Sequence, residues 1–260
     1  LKLPHVAVLL SAEGLHLPFP GSEAWPTFLQ LLLVPPPVWV AWSLYLTLLA
    51  ALVGVLVGWQ LRVCGLVACV LYVYYWGLTI HLFPTSYDRL FPVLLLVISL
   101  SGADRTWSVW AWQQLGSAGA WQLIAPLPQR LIALQIAATY LGVGWQKMVL
   151  PDWQTGAILL HSYEGLWGTP LAFWLVQWQW PGWMYDQLLL VVVTIEFWLP
   201  ISLWMPRWQW LCFGLGALFH ILVALLMGIW WFLILIPAYI VFLPPEQVRA
   251  WCTWGQGNED

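Results

Sequence analysis

Three ionisable residues lie inside long apolar stretches: Lys147, Glu196 and His220. A charge in hydrocarbon is costly, so each is a candidate for function before it is a candidate for structure. A lysine can act as a general base, a glutamate can pair with it, and a histidine can shuttle a proton or hold a substrate. Each also has a plainer reading. Lys147 sits near the end of an apolar run and can snorkel to water along its aliphatic stem. Glu196, in Thr194-Ile195-Glu196-Phe197-Trp198, can bridge helices through a hydrogen bond or ion pair. His220, in Leu218-Phe219-His220-Ile221, can be a neutral core histidine. No two of the five histidines are spaced i, i+4, so no metal site is expected.

Composition places these residues in a membrane. Hydrophobic residues make up 62% of the 260 and charged ones 7%, against about 25% charged in an ordinary soluble domain. The net charge of −3 gives no basis for nucleic-acid binding. The 24 Trp residues suit the bilayer interface, where an indole buries its body and satisfies its N–H. Cys64, Cys69, Cys212 and Cys252 have no metal or redox spacing and read as small packing residues.

The expected fold is a single all-α polytopic transmembrane helix bundle over residues 1–260. Seven apolar runs are expected to span: Val38–Trp59, Val63–Phe83, Leu90–Gly102, Leu131–Leu150, Leu188–Met205, Trp208–Gly228 and Ile229–Phe242. An eighth would precede residue 1, because the chain opens on Leu1-Lys2-Leu3-Pro4 without a Met. The runs lack the alternation of barrel strands, so helices are expected. Residues 1–34 form an outer-side segment, 38–245 the bundle and 246–260 a cytoplasmic tail. That orientation follows from Arg62, Arg105, Arg130, Arg207 and Arg249 on one side against Lys2, Arg89 and Lys147 on the other. His16, His81, His161, Lys147 and Glu164 then gather near the outer face.

The stretch Arg130-x4-Gln135-x4-Tyr140-x3-Gly144-x2-Lys147, followed by Trp153-x2-Gly156, resembles the membrane core of the vitamin K-dependent γ-carboxylase-like, or HTTM, family. Trp107-Ser108-Val109 and Phe219-His220 with Gly228-x3-Phe232 resemble further family motifs in the same order. The resemblance covers most of residues 12–245. It implies a lysine that deprotonates a quinol, which places Lys147 as the base, with His220 and Glu196 beside it. Gln135, Tyr140, Trp153 and His161 are then substrate contacts, and the implied cofactor is a quinone.

The chain departs from the family in three places. Thr85-Ser86-Tyr87 stands where the carboxylase has Asn-Asn-His. The lysine-to-Trp spacing is one residue longer. The chain ends at Asp260, where the carboxylase continues into an extramembrane domain. The expectation is therefore an accessory or structural subunit of a larger complex in a bacterial inner or intracytoplasmic membrane, with lipids, pigments or other subunits as partners. A membrane enzyme using Lys147 as base on a quinone-like or lipid-soluble substrate is the alternative.

Overall fold

The computed structural model describes residues 5–14, 33–79, 87–120, 122–165 and 167–253. Every element among them is helical. The chain divides into two compact units, Leu1–Leu131 and Ile132–Asp260. His16, His81, Thr85 and Ser86 lie outside the described residues, as do most of the outer-side segment and the last residues of the tail.

The first unit holds α1 (Val6–Leu10), α2 (Val38–Val57), α3 (Leu61–Thr79), α4 (Tyr87–Ser101) and α5 (Val109–Leu115). Helices in lipid gain nothing from hiding apolar surface, so close approach through small residues drives their packing. That is how α2 and α3 meet. Ala41, Leu48 and Ala51 face Ala68, Tyr75 and Leu78 in one core, closed by Val6 and Leu10 of α1. Gly54 leaves room for Cys64, and Gly65 for Ser99 of α4. Two tyrosines add directed bonds. Tyr75 donates to the Ala41 carbonyl at 2.7 Å and Tyr72 to Asp88 Oδ1 at 2.8 Å. The α2–α3 turn needs a left-handed residue, and Gly58 (φ 64°) supplies it.

The second unit takes α6 (Leu127–Val149) from Ile132 onward. A 3₁₀ turn at Pro151–Trp153 follows, then α7 (Ala157–Glu164), α8 (Pro170–Val176), α9 (Gly182–Ser202) and α10 (Gln209–Met227). The segment Trp230–Phe242 winds as 3₁₀, one α turn (α11, Leu235–Ala238) and 3₁₀ again, before α12 (Pro245–Thr253). Helices α7 and α8 pack on the start of α9 and the end of α10 around Leu159, Tyr163, Ala172, Tyr185 and Leu189. Burial raises the pKa of the Tyr163 hydroxyl and neighbouring Tyr185 adds to the shift, so Tyr163 stays protonated. The corner is stitched by Thr169, which caps α8 and donates through Oγ1 to the Leu225 carbonyl at 2.6 Å. Asp186 Oδ1 accepts from the Gly156 N–H at 2.7 Å.

Four helices are long and apolar enough to cross a membrane: α2, α3, α9 and α10. Their 19–21 residues span about 30 Å at 1.5 Å per residue, the thickness of a hydrocarbon core. Between 22% and 33% of each one's most apolar stretch is buried, so most of each surface faces outward. The other three expected runs differ for identifiable reasons. Helix α4 has only 15 residues. Helix α6 has 23, but Gln135, Thr139, Gln146 and Lys147 dilute it. The run Ile229–Phe242 is not one regular helix, and with α12 it forms a pair bent by 111° that counts as a fifth span at most.

Candidate functional site

The buried face of α6 carries Ala133, Ile136, Ala137, Tyr140 and Gly144. At 100° per residue Lys147 falls within about 20° of Tyr140, so the same stripe ends on it. Small residues upstream let neighbours close in. Polar groups downstream face them.

Lys147 forms a salt bridge with Glu196 Oε1 of α9. The lysine side chain is 12% exposed and the glutamate 5%. Lys147 Nζ also lies over the Trp153 ring, 4.8 Å from its centroid, a cation–π contact worth about 1 kcal/mol in such a site. Gly144 makes the pairing possible. A Cβ there would sit 3.0 Å from the Phe197 ring and 3.3 Å from Glu196 Cβ, so any larger residue would have to push α9 back by a few tenths of an ångström. Glu196 Oε2 is buried without a hydrogen-bond partner.

Two turns back along α6, the Tyr140 hydroxyl bonds His220 Nε2 of α10 and the Tyr239 hydroxyl, the latter at 2.6 Å. His220 is fully buried and Tyr239 is 1% exposed. The imidazole packs among Phe219, Phe232 and Tyr239, with ring centroids 5.3–6.2 Å away. Its Nδ1 has no partner. The C-terminal segment is held at both ends of this contact. Tyr239 enters where Gly216 has no side chain, and Gln209 Nε2 donates to the Phe242 carbonyl at 2.7 Å.

The expected site residues thus separate into groups. Lys147, Glu196 and Trp153 are in contact, and Tyr140 and His220 are in contact. Gln135 points about 140° away from Tyr140 around α6, and its side chain lies 3.5 Å from Thr139 of the same helix. His161 is exposed on α7. Tyr239 was not foreseen: a lone tyrosine in an apolar run has no spacing signal, and its partners are 19 or more positions away. No group of three or more His, Cys, Asp or Glu able to hold a metal occurs among the described residues.

Chemically, both groups are largely buried among their partners. Two apolar grooves among the described residues lie away from them. One of about 360 Å³ runs between α2 and α3 beside Leu44 and Val70, and one of about 250 Å³ runs along the start of α9.

A test separates the hydrogen bonds. Tyr239→Phe removes one bond of a pair and is expected to cost about 1 kcal/mol. Tyr140→Phe strips His220 Nε2 of its partner as well and is expected to cost about 2 kcal/mol. Denaturation in mixed micelles reads both, and equal losses would contradict the arrangement.

These features describe an all-helical chain with four helices long and apolar enough to cross a membrane, compatible with an integral membrane protein, and with a buried polar network in its second unit. Comparison with protein-family models, curated proteins and solved structures returned no match.

Proposed function

We propose that the chain is an accessory or structural subunit of a larger membrane complex, built on an HTTM-like bundle whose polar residues serve as interhelical ties. One observation carries this reading: the Lys147 ammonium is taken up by Glu196 and covered by Trp153, while aromatic rings fill the space around His220. A base awaiting a ring-sized substrate needs an open cavity beside it. The outward-facing spans, with Trp183, Trp198, Trp204 and Trp210 exposed on α9, α10 and the turn between them, supply surface for neighbouring subunits, lipids or pigments. The membrane is a bacterial inner or intracytoplasmic one, with the tail on the cytoplasmic side.

The second reading is a membrane enzyme in which Lys147 deprotonates a quinone-like or lipid-soluble substrate. It is favoured by the partnerless Glu196 Oε2 and His220 Nδ1, which are free to take a proton or a substrate group. Mass spectrometry of the native particle, covering proteins, quinones and pigments, decides between them. Partner subunits at fixed ratio with no quinone on this chain are expected. A lone protein carrying stoichiometric quinone that is lost on Lys147→Ala would overturn the subunit reading.

A further inference from the structure

The end of the second unit where α8 meets α9 carries a ladder of aromatic rings that the polar network does not use. Trp174 of α8 meets Trp178 at 4.5 Å and 68°, Trp178 meets Trp180 at 6.1 Å and 63°, and Trp180 meets Tyr185 at 6.2 Å. Rings set steeply to one another leave their outer faces turned in different directions, and an exposed indole face attracts a quaternary ammonium group. Trp174 is 49% exposed and Trp178 54%, so the ladder is open. Between Trp178 and Trp180 the chain passes through Gln179 at φ 52°. A non-glycine residue in that region is strained, and such strain gathers at ligand sites.

Two further observations bear on the ligand. From Asp152 to Pro206 the sequence has acidic residues and no Lys or Arg. Of those acids, Glu164 is exposed and close enough to Tyr185 for its charge to act on that hydroxyl. The local charge therefore favours a cation. The apolar groove of about 250 Å³ begins at Trp180, the third ring of the ladder, and runs past Trp183, Met184 and Leu188 to Val191 down a helix able to cross the bilayer. A cation-receiving ladder at the head of an apolar groove on a span matches a lipid with a cationic head and an acyl tail.

We propose that this surface is a binding site for a choline-headed phospholipid, with the trimethylammonium against the Trp174–Trp178–Trp180 ladder and an acyl chain in the α9 groove. The site is separate from Lys147, and its occupation does not depend on whether the chain is a subunit or an enzyme.

The test is native mass spectrometry of the full chain in detergent, titrated with phosphatidylcholine, phosphatidylethanolamine or phosphatidylglycerol of identical acyl chains. The expected result is retention of phosphatidylcholine about tenfold better than the other two, with the preference competed away by soluble phosphocholine. Trp178→Leu and Trp174→Leu are expected to abolish the preference. Trp145→Leu, which removes an exposed indole from α6 instead, is expected to keep it. Equal retention of all three lipids by the unmodified protein would overturn the proposal without recourse to any variant and would leave only a groove that takes any acyl chain. A phosphatidylcholine preference that survives both Trp replacements would overturn the assignment to this ladder.

Discussion

Lys147→Met is expected to destabilise the protein by about 3 kcal/mol, as breaking one side of a buried ion pair does. The reason lies in Glu196. Its side chain is 5% exposed, it stands in the interior of α9, and one of its two oxygens already lacks a partner. Removing the lysine strands both oxygens of a side chain that is only 5% exposed and, unlike a lysine, has no long stem with which to reach water. The reciprocal change is milder. Lys147 is in the last turn of α6, partly exposed and next to Trp153, so after Glu196→Gln its ammonium can move toward the interface along its stem. The ordering is therefore diagnostic: Lys147→Met worse than Glu196→Gln, with Lys147→Met plus Glu196→Leu recovering most of the loss. Unfolding in mixed micelles measures all three. If Lys147→Met left stability unchanged while abolishing turnover of a quinol, the lysine would be a base and not a tie.

Gly216→Val is expected to cost a comparable amount, about 3 kcal/mol, by overpacking. A Cβ at this position would lie 2.5 Å from the Tyr239 hydroxyl oxygen and within 2.9 Å of two ring carbons. Tyr239 has nowhere to retreat, being 1% exposed and pressed against Phe213 and His220. The tyrosine must leave, and its bond to Tyr140 leaves with it. Hydrogen exchange should then rise across Trp230–Phe242 while α9 keeps its protection. That pattern separates release of the segment from general unfolding. Unchanged exchange in the segment would mean that Tyr239 is not seated over Gly216. The same logic explains why this segment is irregular. Its 3₁₀ winding and Pro237 leave backbone groups that a regular helix would satisfy internally, so side-chain anchors such as Gln209 take a larger share of holding it.

Much of the helical layout was legible in the residues alone. Four apolar runs anticipated α2, α3 and α10 to within about four residues and α9 to within six at its start, since a stretch that long with almost no charge has few options other than a helix in lipid. The run at Leu131–Leu150 marked α6, and Tyr140, Gly144 and Lys147 were singled out there only as parts of a motif with a family resemblance; that they share one face of the helix is seen in the structure. Composition speaks to where a segment partitions and less to how it winds. For that reason the apolar run Ile229–Phe242 gave no sign of its broken winding, and the residues between the expected runs Leu131–Leu150 and Leu188–Met205 gave none of α7 and α8. Pairings were still further out of reach. Glu196 is 49 positions from Lys147, and Tyr239 is 99 from Tyr140. Which helix faces meet depends on small residues opposite large ones, Gly144 against Phe197 and Gly216 against Tyr239. The sequence by itself determined that this protein is a set of apolar helices carrying a few costly polar groups. Only the tertiary structure decided that those groups pair with partners on other helices, Lys147 with Glu196 and His220 with Tyr140, because pairing is a property of helix faces brought together and not of any one helix.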